Sequence, residues 1–238
     1  MLRIGGTDRG KFLQDLITND LAGADDGLIY AALLSPQGKY LFDFFVFGDG
    51  DSYCIDVKTD RAAALAQRLT LYKLRADVTI AATDMPVAQV WNSDAGMPDP
   101  RDPSLGNRVY GPVTLTGPGP DWDALRVAAV VPETGIELMA DDSYILEAGF
   151  ERLSGVDFRK GCYVGQEVTA RMKHKTTLRK GLVAVTVSGA AVPGTEIRAG
   201  EKTAGQLHTV AGDRGIAFVR HDRTSADMTA GQAVINII

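Results

Sequence analysis

The sequence predicts an α+β protein in two parts, a mixed domain over residues 1–178 and a small antiparallel β-barrel over 179–238. Helical and strand-like periodicities both occur in the first part. The second part holds only short apolar or alternating runs, separated by turn residues such as Pro193-Gly194 and Gly212-Asp213. Several short strands at such regular spacing favour a barrel.

The first hundred residues predict helices and strands in alternation. Thr7 can cap a helix whose apolar residues recur with helical spacing from Phe12 to Ile17. Two strand-like runs, 28–34 and 39–47, flank Ser35-Pro36-Gln37-Gly38, whose proline and glycine positions indicate a type I turn. Further predictions are a strand over 52–57, a helix over 60–72, strands over 76–82 and 87–91, and a loop over 92–107.

The remaining elements follow from the same patterns. Helices are expected over 122–130 and 142–153, and a third near Gly165, in which Glu167 can pair with Arg171 one turn later. Strands are expected over 109–115, 182–187, 195–198, 202–208, 215–220 and 233–237.

Composition narrows the class of protein. The chain has 238 residues, 45% of them hydrophobic and 23% charged, as in ordinary globular proteins. Its net charge of −5 argues against extensive nucleic-acid binding. Only two cysteines occur, and no apolar run resembles a signal peptide or a membrane span. These observations predict a cytoplasmic protein that does not associate with membranes.

One segment departs from this acidic average. Residues 159–180 contain seven lysine and arginine side chains and a single acid, Glu167. Cys162 lies between two glycines, directly after two cations and before a predicted helix start, a setting that favours thiolate over thiol. The segment is either a solvated helix face or a site for an anion such as a polyglutamate tail, a phosphate or an acidic partner. Cys54, in an apolar strand, is expected in the core.

The run Lys160-Gly161-Cys162-Tyr163-Val164-Gly165-Gln166-Glu167 resembles the signature of the YgfZ family of iron–sulfur maintenance factors. Similar family segments are Phe12-Leu13-Gln14, Thr18-Asn19-Asp20, 35–39 and 99–108, so that the resemblance covers nearly the whole chain. It implies the aminomethyltransferase-like fold, with a ferredoxin-like insertion over about 49–105 and a C-terminal barrel.

The resemblance also implies a function. It points to an accessory factor in assembly or repair of [4Fe–4S] clusters that is linked to tetrahydrofolate and uses Cys162, with iron–sulfur assembly proteins or client enzymes as partners. The implied motif and anion-binding residues are Arg159, Lys160, Gly161, Tyr163, Gly165, Gln166, Glu167 and Arg171. The implied cofactor-binding residues are Asp43, Trp122 and Arg126, although Trp122 could equally be a packed helix residue.

Two alternatives remain, a tetrahydrofolate-dependent aminomethyl transferase and a non-catalytic module for an acidic carrier. A folate-binding Arg-x-Glu-x-Gly-x-Pro stretch aligns with Arg126–Pro132, where Ala128 stands at the glutamate position. The paired aspartates of the transferases align with Phe42 and Asp43, which leaves one acid and disfavours the transferase.

Two cysteines cannot supply the usual four ligands of a [4Fe–4S] cluster, and no metal-ligand spacing is present.

Overall fold

A five-stranded antiparallel sheet organises the first part of the chain. The computed structural model describes residues 1–114, 117–175, 177–225 and 228–238, with the side chain of Lys175 left aside. The sheet consists of β1 (Leu2–Gly5), β2 (Ile29–Leu34), β3 (Tyr40–Asp49), β4 (Ser52–Asp56) and β5 (Thr79–Ala82), in the order β2-β3-β4-β1-β5. The predicted turn between β2 and β3 is confirmed, because the Gly38 N–H donates to the Ser35 carbonyl at 2.8 Å.

The two faces of this sheet bury different cores, as the two-residue period of strands requires. Phe42 and Phe44 lie in a first core that is covered by α1 (Arg9–Gln14) and α2 (Ala62–Lys73). Phe45 and Phe47 lie in a second core on the opposite face. Helix α1 begins one residue later than a Thr7 cap predicts, because the Thr7 hydroxyl donates instead to Asp77 at 2.8 Å.

A second, smaller sheet adjoins the first. It contains β6 (Val87–Val90), β7 (Met97–Pro98) and β8 (Asn107–Tyr110), in the order β6-β8-β7. The segment expected as a ferredoxin-like insertion therefore divides its strands, with β4 and β5 in the large sheet and β6 and β7 in the small one. The strand predicted over 109–115 ends at Tyr110, and its last residue, Leu115, lies outside the described residues.

Helix α3 (Trp122–Ala129) covers part of the second core. It begins after Asp121, whose carboxylate accepts from the Ala124 N–H at 3.1 Å. The helix predicted over 142–153 is wrong, because these residues form consecutive turns. Gly149 has a φ of +82°, which ends any helical run there, although Ile145 and Phe150 are buried as the apolar pattern requires.

Helix α4 and the barrel complete the chain. Helix α4 spans Gln166–Lys175, close to its predicted start. The strands β9 (Lys180–Ser188), β10 (Glu196–Ala199), β11 (Lys202–Ala211), β12 (Arg214–Arg220), β13 (Met228–Ala230) and β14 (Ala233–Ile237) close into an antiparallel barrel. The sequence pattern missed β13, whose three residues are too few to show a period.

Candidate functional site

A cavity of about 530 Å³ opens on the second-core side of the large sheet. Asp43 from β3, Trp122 from the start of α3 and Arg126 one turn later all line it. The structure thus brings together the three side chains predicted to bind a cofactor, which are up to 83 positions apart in sequence.

Asp43 is held by three hydroxyl groups. Its Oδ2 accepts from the Tyr30 hydroxyl at 2.9 Å, and its Oδ1 accepts from Tyr40 at 2.6 Å and from Thr134 at 2.5 Å. Burial, together with the charge of Asp43, raises the pKa of both tyrosines, so these hydroxyls remain proton donors at neutral pH. Three donors fix the carboxylate at the cavity wall.

Two arginines from the 99–108 segment form another wall. The Arg101 guanidinium donates two hydrogen bonds to Asp99, at 3.0 and 2.8 Å, and Arg108 donates to Asp56 at 2.9 and 2.6 Å. Their guanidinium carbons lie 4.7 and 4.4 Å from the centre of the Phe45 ring. Both cations are therefore held rigidly by a carboxylate and an aromatic ring.

Arg126 connects the cavity to the barrel. It is 1% exposed, and its guanidinium donates to Glu137 at 3.0 Å and to the Thr209 hydroxyl of β11 at 2.7 Å. The Thr209 hydroxyl in turn donates to Glu137 at 2.6 Å. Its Nε atom is buried and makes no hydrogen bond within the described residues, and the nearest acid is the Glu133 carboxylate at 3.4 Å.

Glu133 supplies a carboxylate to the cavity, whereas Ala128, at the glutamate position of the family pattern, does not line it. Ala128 is exposed on α3 and does not line the cavity, whereas Pro132 and Glu133 do. The Glu133 carboxylate lies 3.0 Å from the Lys58 ammonium and 3.4 Å from the Arg126 Nε. The cavity therefore has a carboxylate beside Arg126, from a residue seven positions further along the chain.

Cys162 lies outside this cavity. The Cys162 side chain is exposed, whereas Cys54 is buried as predicted. Cys162 therefore does not share the cavity with Asp43 and Trp122. The thiol and the cavity are two separate features of the molecule.

Lys160 occupies a different environment from the anion site expected for it. Its ammonium is buried and donates to the carbonyls of Gln14 at 2.8 Å, Ile17 at 2.5 Å and Asn19 at 2.9 Å. Desolvation lowers the pKa of Lys160 to about 8. All three donors are used inside the protein, so this lysine fastens the motif to the end of α1.

Three further motif residues, Tyr163, Gly165 and Gln166, make contacts inside the protein. Tyr163 packs in the second core at 7% exposure, so its ring is not offered to a ligand. Gly165 has a φ of +83°, and a Cβ atom there would lie 2.6 Å from the Ser35 carbonyl oxygen. Gln166 begins α4, and its amide donates to the Gly161 carbonyl at 3.5 Å, at the limit of a hydrogen bond.

The outward side of α4 carries exposed charges. Arg159, Glu167 and Arg171 are exposed, and the predicted Glu167–Arg171 ion pair is not formed between these two described side chains. Lys173 instead pairs with Glu151 and lies over the ring of Phe158. The described part of α4 thus presents its charged side chains to solvent.

The charged side chains that line the cavity and were not predicted from the sequence include those of Asp56, Arg101 and Arg108. For the two arginines a signal was present, since 99–108 is one of the segments that resemble the YgfZ family. Its charged residues carry no spacing that distinguishes a ligand site from a surface loop. Only the fold shows that they face Asp43.

The described ranges show two further features. No group of three or more histidine, cysteine, aspartate or glutamate side chains among these residues is arranged to hold a metal ion. None of the helices in the described part of the chain combines the length and apolar character that crossing a membrane requires.

Known structures match the fold throughout. The glycine cleavage system aminomethyltransferase T of Bartonella henselae aligns with all of this chain and with 81% of its own length, at a TM-score of 0.76 and 11% sequence identity. The C-terminal beta-barrel domain of CAF17 matches residues 179–238. Fold and barrel together define a class, the aminomethyltransferase-like proteins with a CAF17-type C-terminal barrel.

Sequence relatives narrow this class. The mitochondrial iron–sulfur cluster assembly factor IBA57 homologue of Mycosarcoma maydis is 30% identical over 81% of this chain and 56% of its own length. The homologue of Neurospora crassa is 31% identical over 77% and 51%, and human IBA57 is 29% identical over 92% and 74%. The chain is thus similar to the IBA57 proteins over more than three quarters of its length.

Two facts limit which properties of these relatives can be assigned to this chain. The chain spans about half the length of the fungal relatives it matches. The cytoplasmic location predicted from the sequence is contradicted by the relatives, whose names place them in mitochondria.

Proposed function

We propose that this protein is an accessory factor in the assembly or repair of [4Fe–4S] clusters, which binds a tetrahydrofolate-type ligand in the cavity and uses Cys162 as its reactive thiol. The observation that carries this proposal is the arrangement of Asp43, Trp122 and Arg126 around one cavity. The names of the IBA57 relatives support the iron–sulfur role. The same names support iron–sulfur assembly proteins as partners of this chain.

The cavity fits a folate in size and chemistry. A volume of about 530 Å³ lies within the range of ligand sites, and the walls combine aromatic surface with a few fixed polar groups. Trp122 offers a plane for stacking, and Glu133 offers a carboxylate for the amino groups of a pterin. When bound, tetrahydrofolate would supply its one-carbon chemistry there.

Cys162 would act apart from this ligand. The chain has two cysteines, and one of them is buried, so a [4Fe–4S] cluster could only be shared with ligands from a partner. An exposed thiol on a loop that is fastened by Lys160 suits such shared ligation. The cavity and the thiol would then serve separate steps of one task.

Calorimetric titration with tetrahydrofolate tests the cavity. We expect the wild-type chain and Cys162→Ala to bind alike, whereas Asp43→Asn and Glu133→Gln weaken binding by roughly 10- to 100-fold, the loss of one hydrogen bond to a charged group. Absence of binding by the wild-type chain would remove the folate from the proposal.

Activity in cells tests the thiol. In the source organism we expect Cys162→Ala to lower [4Fe–4S] enzyme activities as far as deletion of the gene does, whereas Cys54→Ala leaves them unchanged. Normal activities in the Cys162→Ala strain, with low activities in the deletion strain, would exclude this thiol.

An aminomethyl transferase is the second candidate, favoured by the Asp43 carboxylate at the cavity wall. Phe42, at the position of the second transferase acid, lies in the first core on the opposite face of the sheet. Product analysis with tetrahydrofolate and small amine donors decides between the two. Turnover that Asp43→Asn abolishes and Cys162→Ala spares would establish the transferase.

A further inference from the structure

Three carboxylates of the described residues line the cavity, and that of Asp43 differs from the other two in its partners. The Asp56 carboxylate accepts two hydrogen bonds from the Arg108 guanidinium, and the Glu133 carboxylate lies 3.0 Å from the Lys58 ammonium. Asp43 forms no ion pair within the described residues, and the donors that it accepts from there are all hydroxyl groups. Its charge is therefore left for a ligand in the cavity.

The hydroxyl groups leave one acceptor position of the Asp43 carboxylate open. An ionised carboxylate offers about four acceptor positions, two on each oxygen. The hydroxyls of Tyr40 and Thr134 both contact Oδ1 and lie 2.6 Å from each other, so they enclose this oxygen. Within the described residues Oδ2 accepts from the Tyr30 hydroxyl alone. One acceptor position therefore remains on Oδ2, at the wall of the cavity.

This open position favours one oxidation state of a folate. An ionised carboxylate accepts hydrogen bonds and donates none, so it attracts an N–H group and repels a nitrogen lone pair. The reduced ring of tetrahydrofolate carries N–H groups at N5 and N8, whereas the same two nitrogens of folic acid carry lone pairs and no hydrogen. The amino group on the pyrimidine ring is common to both forms. An acceptor that faces the reducible ring can thus separate the two.

We propose that Asp43 selects the reduced form of the ligand, an inference that rests on the proposed function, in which Glu133 takes the amino groups of the pterin. The open position on Oδ2 accepts an N–H group of the reduced ring and opposes the lone pairs of the oxidised ring. Tyr40 and Thr134 are positioning residues, because they hold Oδ1 and thereby fix the direction of Oδ2. A site built around one hydrogen bond rejects an analogue that lacks the partner group.

Calorimetric titration of the full chain with tetrahydrofolate and with folic acid, without oxygen, tests the selection. We expect wild type to bind tetrahydrofolate roughly 10- to 100-fold more tightly than folic acid, the effect of leaving a polar group unpaired. Asp43→Asn should bring this ratio close to one, because its amide can also donate to a ring nitrogen. The matched control is Glu133→Gln, which should weaken both ligands and preserve the ratio, because both carry the amino group.

Two substitutions of Thr134 test the positioning role. Thr134→Val removes the hydroxyl with little change of shape and should lower the ratio of the two affinities, whereas Thr134→Ser keeps the hydroxyl and should retain the wild-type ratio. Both ligands are titrated into the same preparation, so a partial loss of folded protein does not alter the ratio. A wild-type ratio in Thr134→Val would overturn the positioning role.

The outcomes separate this selection from the proposed function. Equal affinities of wild type for the two ligands would overturn the selection and leave folate binding standing, and so would a preference that Asp43→Asn preserves. A wild-type chain that binds neither ligand would overturn the selection together with the folate part of the proposed function.

Discussion

Lys160 illustrates, at the scale of a residue, how burial can override charge. The sequence places this cation beside a cysteine, where it could hold an anion or favour a thiolate. In the fold its ammonium meets three carbonyls from the end of α1 and the residues that follow. Neighbours that are about 145 positions away in sequence leave no local pattern, so sequence reasoning alone could not choose this role.

Replacing Lys160 should therefore destabilise the protein. Lys160→Met keeps most of the aliphatic length but leaves three carbonyls without donors, and we expect a loss of about 2–4 kcal/mol in the free energy of unfolding. Urea denaturation measures this loss. Arg159→Met, at the exposed neighbour, is the control and should change stability by less than about 0.5 kcal/mol. Equal effects of the two substitutions would refute the anchoring role.

The same residue predicts a dependence on pH. Burial lowers the pKa of Lys160 to about 8 in the folded protein, against about 10.4 in an unfolded chain. Between these values the unfolded state holds more protons, so the contribution of Lys160 to stability rises with pH and is lost as pH falls through about 8. The stability difference between wild type and Lys160→Met should therefore widen from pH 8 to 10, as urea titrations would show.

At the scale of elements, two glycines allow α4 to pack on the β2–β3 turn. A Cβ atom on Gly38 would lie 2.7 Å from the Cβ of Val168, and one on Gly165 would lie 2.9 Å from the Cβ of Leu34. Two segments that resemble the YgfZ family are thus in direct contact. The sequence marks both segments, but it cannot show that their glycines permit one contact.

Substitution separates this packing role from a ligand role. Gly165→Ala introduces a clash and a strained left-handed residue, and should cost about 2–4 kcal/mol in the free energy of unfolding. Gly161→Ala is the matched control, because its Cβ would meet nothing within 4 Å and should cost less than about 1 kcal/mol. Thermal unfolding compares the two. A harmless Gly165→Ala would contradict the packing account.

Local sequence patterns predict most of the strands and helices, but they do not predict the backbone turn at Gly149. The apolar runs over 28–34 and 39–47 predict β2 and β3, whose side chains are buried on both faces of the sheet. The apolar pattern over 142–153 predicts a helix, yet the chain turns at Gly149 while burying the same side chains. Burial is thus predicted more reliably than backbone conformation.

At the scale of the whole molecule, the Arg126 network joins the cavity to the barrel. Arg126 and Glu137 belong to the first part of the chain and Thr209 to the barrel, and all three are buried. The family resemblance predicts that Arg126 binds a cofactor. Its hydrogen-bond partner on β11, Thr209, is 83 positions away in sequence. A ligand in the cavity would lie against the same guanidinium that is bonded to the barrel.

Removing one hydroxyl tests this connection. Thr209→Val retains the shape and strand propensity but leaves Arg126 and Glu137 each without one partner, and should cost about 1–3 kcal/mol in the free energy of unfolding. Thr203→Val on the same strand is exposed and should be neutral within about 0.5 kcal/mol. Urea denaturation measures both.

If the barrel holds the guanidinium in place for a ligand, Thr209→Val should also weaken tetrahydrofolate binding in calorimetry, whereas Thr203→Val should not. Loss of stability with unchanged binding would show that the network serves the fold alone.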